Sequence, residues 1–132
     1  MATIVKKRLV VVRTTFDAVH QWVNAPIDTQ SISSILQYPH RHKFYVELRA
    51  PVTHSDRQIE FLEMKAQLDK ICHELFSGSW STPVAVLPYS CETIAAMIGE
   101  CLTASDRRFY ELPMFTVSVF EDNENGAEVT FE

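Results

Sequence analysis

The stretch HRHKFYVELR, residues 40–49, has the alternation of a β-strand that is buried on one side. Its even-numbered residues are histidine or apolar, and its odd-numbered residues are charged or tyrosine. Because successive side chains of a strand point to opposite faces, the even-numbered residues are expected to face a core. The strand therefore brings two histidines, His40 and His42, to the end of an apolar row.

Further strands are predicted on both sides of this stretch. Residues 4–19 are rich in β-branched and apolar side chains and contain no Gly or Pro, which indicates a long first strand. Residues 115–122 alternate with period two again. Asn125–Gly126 is typical of the two positive-φ residues of a tight hairpin turn, so a returning strand is predicted for residues 127–131.

Two helices are predicted between the second and third strands. The first is capped by Ser55 or Asp56, ends near Ser77–Gly78 and has helical apolar spacing at Phe61, Met64, Leu68, Ile71, Cys72 and Leu75. The second follows an N-cap at Ser90 and buries Ile94, Ala95, Ile98 and Leu102. The order ββααββ predicts an α+β fold, with a four-stranded antiparallel sheet and both helices on one face.

Length, charge and cysteine content exclude several classes of protein. A chain of 132 residues has the size of one domain, which we expect to span residues 1–132. Twelve Lys and Arg against seventeen Asp and Glu give a net charge of −5, which disfavours nucleic acid as a partner. No apolar run approaches the ~20 residues of a membrane helix. Three cysteines without CxxC spacing predict free thiols and a reducing, cytoplasmic location.

Three histidines are candidate metal ligands. His40 and His42, two residues apart on one strand, point to the same face, and His20 ends the preceding strand. An imidazole from an adjacent antiparallel strand can complete three corners of a tetrahedron, the arrangement of catalytic zinc sites with one open position. The alternative is a chance HxH pair with an ordinary edge histidine.

Five pieces of the sequence resemble the 6-pyruvoyl and 6-carboxytetrahydropterin synthase family. They are FDAVH at 16–20, HRHKFYVEL at 40–48, EFLEMK at 60–65, SCETIA at 90–95 and VSVFED at 117–122. The resemblance implies the ββααββ unit of the tunnelling fold and a zinc ion, Zn2+, held by the residues matching His20, His40 and His42. It also implies a homo-oligomer in which trimers pair face to face into a hexamer. The unprotected strand edges of a lone sheet independently favour oligomerisation.

The same resemblance assigns two glutamates to a pterin or purine-like ligand. Glu121 matches the residue that anchors the ring, and Glu92 matches a residue near the ligand pocket. A carboxylate that ends an apolar strand face is costly to bury without a partner, and the adjacent N–H donors of a pterin edge supply one. The alternative for Glu121 is a carboxylate exposed to solvent at the end of its strand. The alternative for Glu92 is a residue in the first turn of its helix that is stabilised there by the helix dipole.

The sequence departs from the family in its acid–base groups. Leu36 stands where the family has a cysteine, and residues 75–80, LFSGSW, replace the region with its Asp-His pair. His73 with Asp69, one turn apart on a predicted helix, is a candidate substitute, although an exposed helix pair is the alternative. Arg41 replaces the glycine of the family's HGH motif and by alternation points away from both histidines.

These features predict a zinc-dependent pterin-binding protein. As an enzyme it would be a lyase resembling 6-carboxytetrahydropterin synthase that acts on the side chain of dihydroneopterin triphosphate. That activity would belong to 7-deazaguanine (queuosine-type) or pterin biosynthesis. The alternative is a non-catalytic homologue that binds or sequesters a pterin or purine-like ligand as a sensor or regulatory subunit. A third interpretation is a structural oligomer in which the histidines have no chemical role.

Overall fold

The computed structural model describes residues 3–22, 38–54, 56, 58–78, 85–105 and 114–132. In chain order, the elements are β1 (Leu9–His20), β2 (His40–Pro51), α1 (Phe61–Phe76), β3 (Val86–Leu87), α2 (Cys91–Ser105), β4 (Phe115–Glu121) and β5 (Asn125–Phe131). The predicted α+β class and ββααββ order are confirmed, with one short strand added between the helices.

The strands form one sheet in the order β3-β1-β2-β4-β5. The prediction of four antiparallel strands was wrong, because Val86 and Leu87 pair in parallel with Val19 and His20 as a fifth strand. The end of β1 has backbone groups that need partners, and Val19 N donates to the carbonyl of Ala85 at 2.8 Å. In the sequence, only four residues separate the prolines at 83 and 88, and such a short stretch cannot show the alternation of a strand.

The hairpin between β4 and β5 turns earlier than the sequence predicts. Asp122 and Asn123 have φ values of 52° and 58°, whereas no described glycine has a positive φ. Asn125 and Gly126 belong to β5, so the prediction that they form the turn was wrong. Gly126 has a packing role instead, because a Cβ there would overlap the backbone of Val119 and the side chain of Phe120.

The core lies between the two helices and one face of the sheet. The β2 residues that face it are Phe44, Val46, Leu48 and Ala50, each at most 1% exposed. Phe16 of β1 stacks on Phe44 at a centroid distance of 5.0 Å and on Phe76 of α1 at 4.7 Å. A Cβ at Gly99 of α2 would overlap the ring of Phe131, so α2 also packs closely against this face, as predicted.

Helix α1 begins later than predicted. Its N-cap is Glu60, whose carboxylate accepts a hydrogen bond from Glu63 N at 2.9 Å, rather than Ser55 or Asp56. Phe61, the first residue of the predicted apolar spacing, is 59% exposed, whereas Met64, Leu68, Ile71 and Cys72 are buried. Within the described ranges, neither helix has the length and apolar content needed to span a membrane.

Candidate metal and ligand site

The register of β1 and β2 brings the three predicted metal ligands together. His20 and His40 are direct cross-strand partners, and His42 lies two residues further along β2 on the same face. The ring centroids are 5.0 Å apart for His20 and His40 and 4.6 Å apart for His40 and His42. The imidazoles therefore form one cluster at the end of the helix-covered face of the sheet.

Glu121 joins this cluster from β4. It lies opposite Phe44 in the β2–β4 pairing, and its carboxylate extends toward the rings. Oε1 is 3.2 Å from Nδ1 of His20, and Oε2 is 3.7 Å from Nε2 of His42. The hydrogen bond between His20 and Glu121 raises the pKa of the imidazole and lowers the pKa of the carboxyl group. The carboxylate thus contacts two of the three imidazoles and belongs to the same partly buried cluster.

The Nδ1 atom of each β2 histidine has a partner outside the ring cluster. Nδ1 of His40 donates to the carbonyl oxygen of Tyr38 at 2.8 Å, and Nδ1 of His42 hydrogen-bonds to the carboxylate of Asp122. The His20 ring also hydrogen-bonds to the backbone of Tyr89. Metal-binding histidines in proteins commonly donate their other N–H to a carbonyl or carboxylate in this way.

The spacing of the ring nitrogens partly matches a zinc site. His20 Nδ1 and His40 Nε2 are 3.2 Å apart, close to the ~3.3 Å between two ligand atoms on a tetrahedral zinc with ~2.0 Å bonds. His42 Nε2 lies against Glu121 instead. Among the described residues, no three His, Cys, Asp or Glu side chains meet at one metal-binding point as they stand. Three imidazoles are a ligand set that fits zinc, but in this structure the side chains contact one another and Glu121 through hydrogen bonds.

A pocket of about 640 Å³ adjoins the cluster. The lining residues that bear on ligand binding are His20, Trp22, Tyr89, Cys91, Glu92 and Glu121. Trp22 is 42% exposed and Tyr89 is 38% exposed, so both present aromatic surface to an incoming molecule. Glu92 is exposed at the rim, whereas Glu121 is half-buried. Both glutamates predicted for the ligand therefore line the same pocket.

The start of α2 forms one wall of this pocket. The predicted cap at Ser90 is confirmed, because Thr93 N donates to its Oγ at 3.2 Å. The next residue, Cys91, places its sulfur 4.0 Å from Oε1 of Glu121. Sequence reasoning did not place Cys91 in the pocket because it took the three cysteines as free thiols of helical segments, although the adjacent Glu92 already pointed to the pocket. Burial raises the pKa of the Cys91 thiol to about 12, so the group is a protonated thiol at neutral pH.

The candidate dyad Asp69 and His73 lies away from the histidine cluster. Asp69 pairs with Nζ of Lys65 at 3.4 Å, and Nδ1 of His73 hydrogen-bonds to Oγ of Ser77 at 2.8 Å. These side chains line a separate cavity of about 600 Å³. The Asp-His interaction expected of a dyad is therefore replaced by two other pairs. Leu36, at the family's cysteine position, lies outside the described residues.

Two further residues near the cluster were not predicted. Trp22 lies two positions after His20. Residues two apart on an extended chain point to the same side, and this spacing is the signal that could have placed Trp22 in the pocket with His20. Asp122 follows Glu121 directly, but its contact with His42 depends on the position of the turn. Only the three-dimensional pairing of β4 with β2 shows that contact.

Comparison with solved structures identifies 6-pyruvoyl tetrahydropterin synthases. The enzyme from Plasmodium vivax aligns with a TM-score of 0.69 at 16% identity, over 96% of this chain and 99% of that chain. A variant of that enzyme with a catalytic glutamate replaced by cysteine gives 0.68 at 17% identity, over 96% and 99%. The Caenorhabditis elegans enzyme gives 0.63 at 10% identity, over 98% and 100%. No family profile and no curated protein matches the sequence.

The alignments extend over almost the full length of both chains, which is more than a shared sheet or helix pair would give. At identities of 10–17% they are informative about the fold. They agree with the resemblance seen in the five sequence pieces and with the observed element order. The chain therefore has the fold of the 6-pyruvoyl tetrahydropterin synthases.

Proposed function

We propose that this protein binds zinc through His20, His40 and His42 and holds a pterin or related purine-like ring in the adjoining pocket. The observation that carries the proposal is the convergence of three imidazoles and the Glu121 carboxylate beside a cavity of about 640 Å³. That volume is within the range of roughly 300–1,000 Å³ for small-molecule pockets.

The zinc part of the proposal is supported by the outer partners of the rings. Tyr38 and Asp122 each accept the Nδ1 proton of a β2 histidine, which leaves the Nε2 atoms of His40 and His42 as neutral ligands. Zinc bound there supplies a Lewis acid that polarises an oxygen of the ligand's side chain. The Glu121 carboxylate offsets part of the positive charge that a divalent ion brings.

The ring part of the proposal is supported by the chemistry of the pocket. The two oxygens of Glu121 can accept from the adjacent ring N–H and exocyclic NH₂ donors of a pterin, as a carboxylate accepts from arginine. Trp22 and Tyr89 offer exposed aromatic surface on which a planar heterocycle can stack. Glu92 at the rim is the weaker candidate contact.

Oligomerisation belongs to the same proposal. In the part of the chain that the structure describes, β5 and most of β1 are sheet edges with one strand partner. Long unpaired edges are usually covered in native proteins. We propose that copies of this chain cover them in a homo-oligomer, with trimers pairing into a hexamer as the resemblance implies.

A lyase activity would require groups that transfer protons at the side chain of the substrate. In a lyase reaction on dihydroneopterin triphosphate, one group removes the side-chain hydroxyl proton as the C–C bond breaks. Another returns a proton to the carbon that keeps the bonding pair. Asp69 and His73 have other partners and lie in a different cavity, and Cys91 holds its proton tightly. These observations favour the alternative of a homologue that binds or sequesters its ligand over the lyase.

Replacing Glu121 with glutamine tests ring binding. We expect calorimetric affinity for neopterin to fall about 10- to 100-fold, because one acceptor oxygen becomes an NH₂ facing a donor, and hydrogen bonds to charged groups contribute ~1.5–3 kcal/mol. Glu92→Gln is the matched control within the pocket, and its expected loss is below about 3-fold because that side chain is exposed. Equal binding by wild type and Glu121→Gln would contradict this assignment.

A turnover assay separates the enzyme from the binder. We expect the zinc-loaded protein to convert 7,8-dihydroneopterin triphosphate at least about 100-fold more slowly than the C. elegans enzyme, since each positioned acid–base group contributes ~10²–10⁴-fold. Products are followed by chromatography with fluorescence detection. A rate within about 10-fold of that enzyme would establish that other residues carry the proton transfers, and the lyase would then be the better assignment.

A further inference from the structure

We infer that Asp122 is a positioning residue, which fixes His42 as the tautomer protonated on Nδ1 and thereby presents Nε2 as the metal ligand. This inference rests on the proposed zinc site for its consequence, but the tautomer itself can be tested without any metal. Asp122 lies in the turn after β4 and does not line the pocket described above.

Asp122 is tied to two consecutive residues of β2 by three hydrogen bonds. One carboxylate oxygen pairs with Nδ1 of His42, and the other accepts from the backbone N–H of Lys43 at 3.1 Å. The Asp122 N–H donates to the carbonyl oxygen of Lys43 at 2.7 Å. Backbone and side chain thus hold the carboxylate in one position relative to the His42 ring.

The chemistry of a carboxylate determines the tautomer. An ionised carboxylate has only acceptors, so Nδ1 of His42 must carry the proton in this contact. In a neutral imidazole the other nitrogen, Nε2, then keeps its lone pair, which is the form that binds a metal ion. The Nε2 atom points toward Glu121 and the rest of the histidine cluster.

The backbone at this turn separates a positioning role from a purely structural one. Asp122 and Asn123 have φ values of 52° and 58°, a region that glycine occupies more easily than residues with a side chain. A requirement of the turn alone would be met at least as well by glycine. The contacts to His42 and Lys43 are what glycine would lack.

Two variants and one control test the inference. Asp122→Gly suits the backbone and removes the carboxylate. Asp122→Asn keeps the shape, but its NH₂ group would face Nδ1 of His42 when its oxygen accepts from Lys43. Glu124→Gln removes the same charge from an exposed residue of the same turn. Thermal unfolding establishes that each variant is folded.

The primary measurement is ¹⁵N NMR of the histidine rings in metal-free protein. We expect His42 to be protonated on Nδ1 in wild type and Glu124→Gln, and to shift toward the Nε2-protonated form in Asp122→Asn. Zinc affinity, measured by competition with a chromophoric chelator, is expected to fall about 10- to 100-fold in both Asp122 variants and less than about 3-fold in Glu124→Gln.

The outcomes distinguish this inference from the proposed function. Wild-type His42 protonated on Nε2 would overturn the inference, whatever the zinc affinity. Folded Asp122→Gly with wild-type zinc affinity would also overturn it and leave Asp122 a turn residue only. If wild type has the Nδ1-protonated ring but binds no zinc, the tautomer assignment is supported and the proposed zinc site fails.

Discussion

Replacing His40 with alanine is expected to lower zinc affinity by at least about 100-fold. His40 is the middle ring of the cluster, 5.0 Å from His20 and 4.6 Å from His42 between centroids. Loss of an outer hydrogen-bond partner of a metal ligand already costs ~10- to 100-fold, and loss of the ligand itself removes a coordinate bond. No other described imidazole is in a position to replace it, because His54 and His73 make separate local contacts.

Zinc binding is measured by chelator competition at pH 7.5, with one equivalent expected for wild type. His73→Ala is the matched control, since it removes an imidazole that faces Ser77 instead of the cluster. Protons compete for the ligand nitrogens, and the hydrogen bond to Glu121 that raises the pKa of His20 strengthens this competition, so zinc affinity should fall as the pH is lowered from 7.5. Wild-type affinity in His40→Ala, or zinc retention that is unchanged at pH 5, would contradict the three-histidine site.

Replacing Phe44 with alanine is expected to destabilise the protein by about 3–5 kcal/mol. Its ring is completely buried and stacks on Phe16 at 5.0 Å, so truncation leaves a cavity in the centre of the core. The rings of His20 and His42 also lie edge-on to it, at centroid distances of 6.2 Å and 6.3 Å. The same truncation therefore removes the apolar support beneath two of the three histidines.

Urea denaturation followed by circular dichroism gives the change in the free energy of unfolding. Leu62→Ala is the control, because Leu62 is 67% exposed on α1 and its truncation should change stability by less than ~0.5 kcal/mol. We also expect a loss of zinc affinity in Phe44→Ala under conditions where it remains folded. A Phe44→Ala protein as stable as Leu62→Ala would show that the core does not depend on this stacked ring.

The part of the site built on regular strands could be predicted from the sequence. Side-chain direction in a strand depends only on parity, so His40, His42 and Phe44 had to share a face once β2 was recognised. His20 and Glu121 end the two strands that flank β2, and antiparallel pairing carries both to the same end of β2. Neither assignment required the exact position of a turn or a helix end.

The rest depended on competition between local preference and tertiary contact. Asn125–Gly126 has the stronger local preference for a hairpin turn, but the turn forms at Asp122 and Asn123. There Asp122 gains hydrogen bonds to β2, while Gly126 provides space for the tight pairing of β5 with β4. The hydrogen bonds of Asp122 to β2 join residues about 80 positions apart, and no local pattern encodes them.

The same limit explains Cys91 and β3. Whether the first residue of a helix lines a cavity depends on where the helix is docked, which periodicity does not define. Val86–Leu87 becomes a strand only because the end of β1 lies beside it. A two-residue segment has no periodicity of its own, so its assignment had to wait for the structure.

The pairing of β2 has a consequence for how the histidines would accept an occupant. The strand has partners on both sides from Phe44 to Arg49, whereas His40 and His42 lie near its end and pair with β1 alone. The ends and margins of a sheet open more readily than its centre. Phe44 would therefore be a fixed base of the proposed site, whereas an occupant would have to order the end of β2, which costs part of its binding free energy.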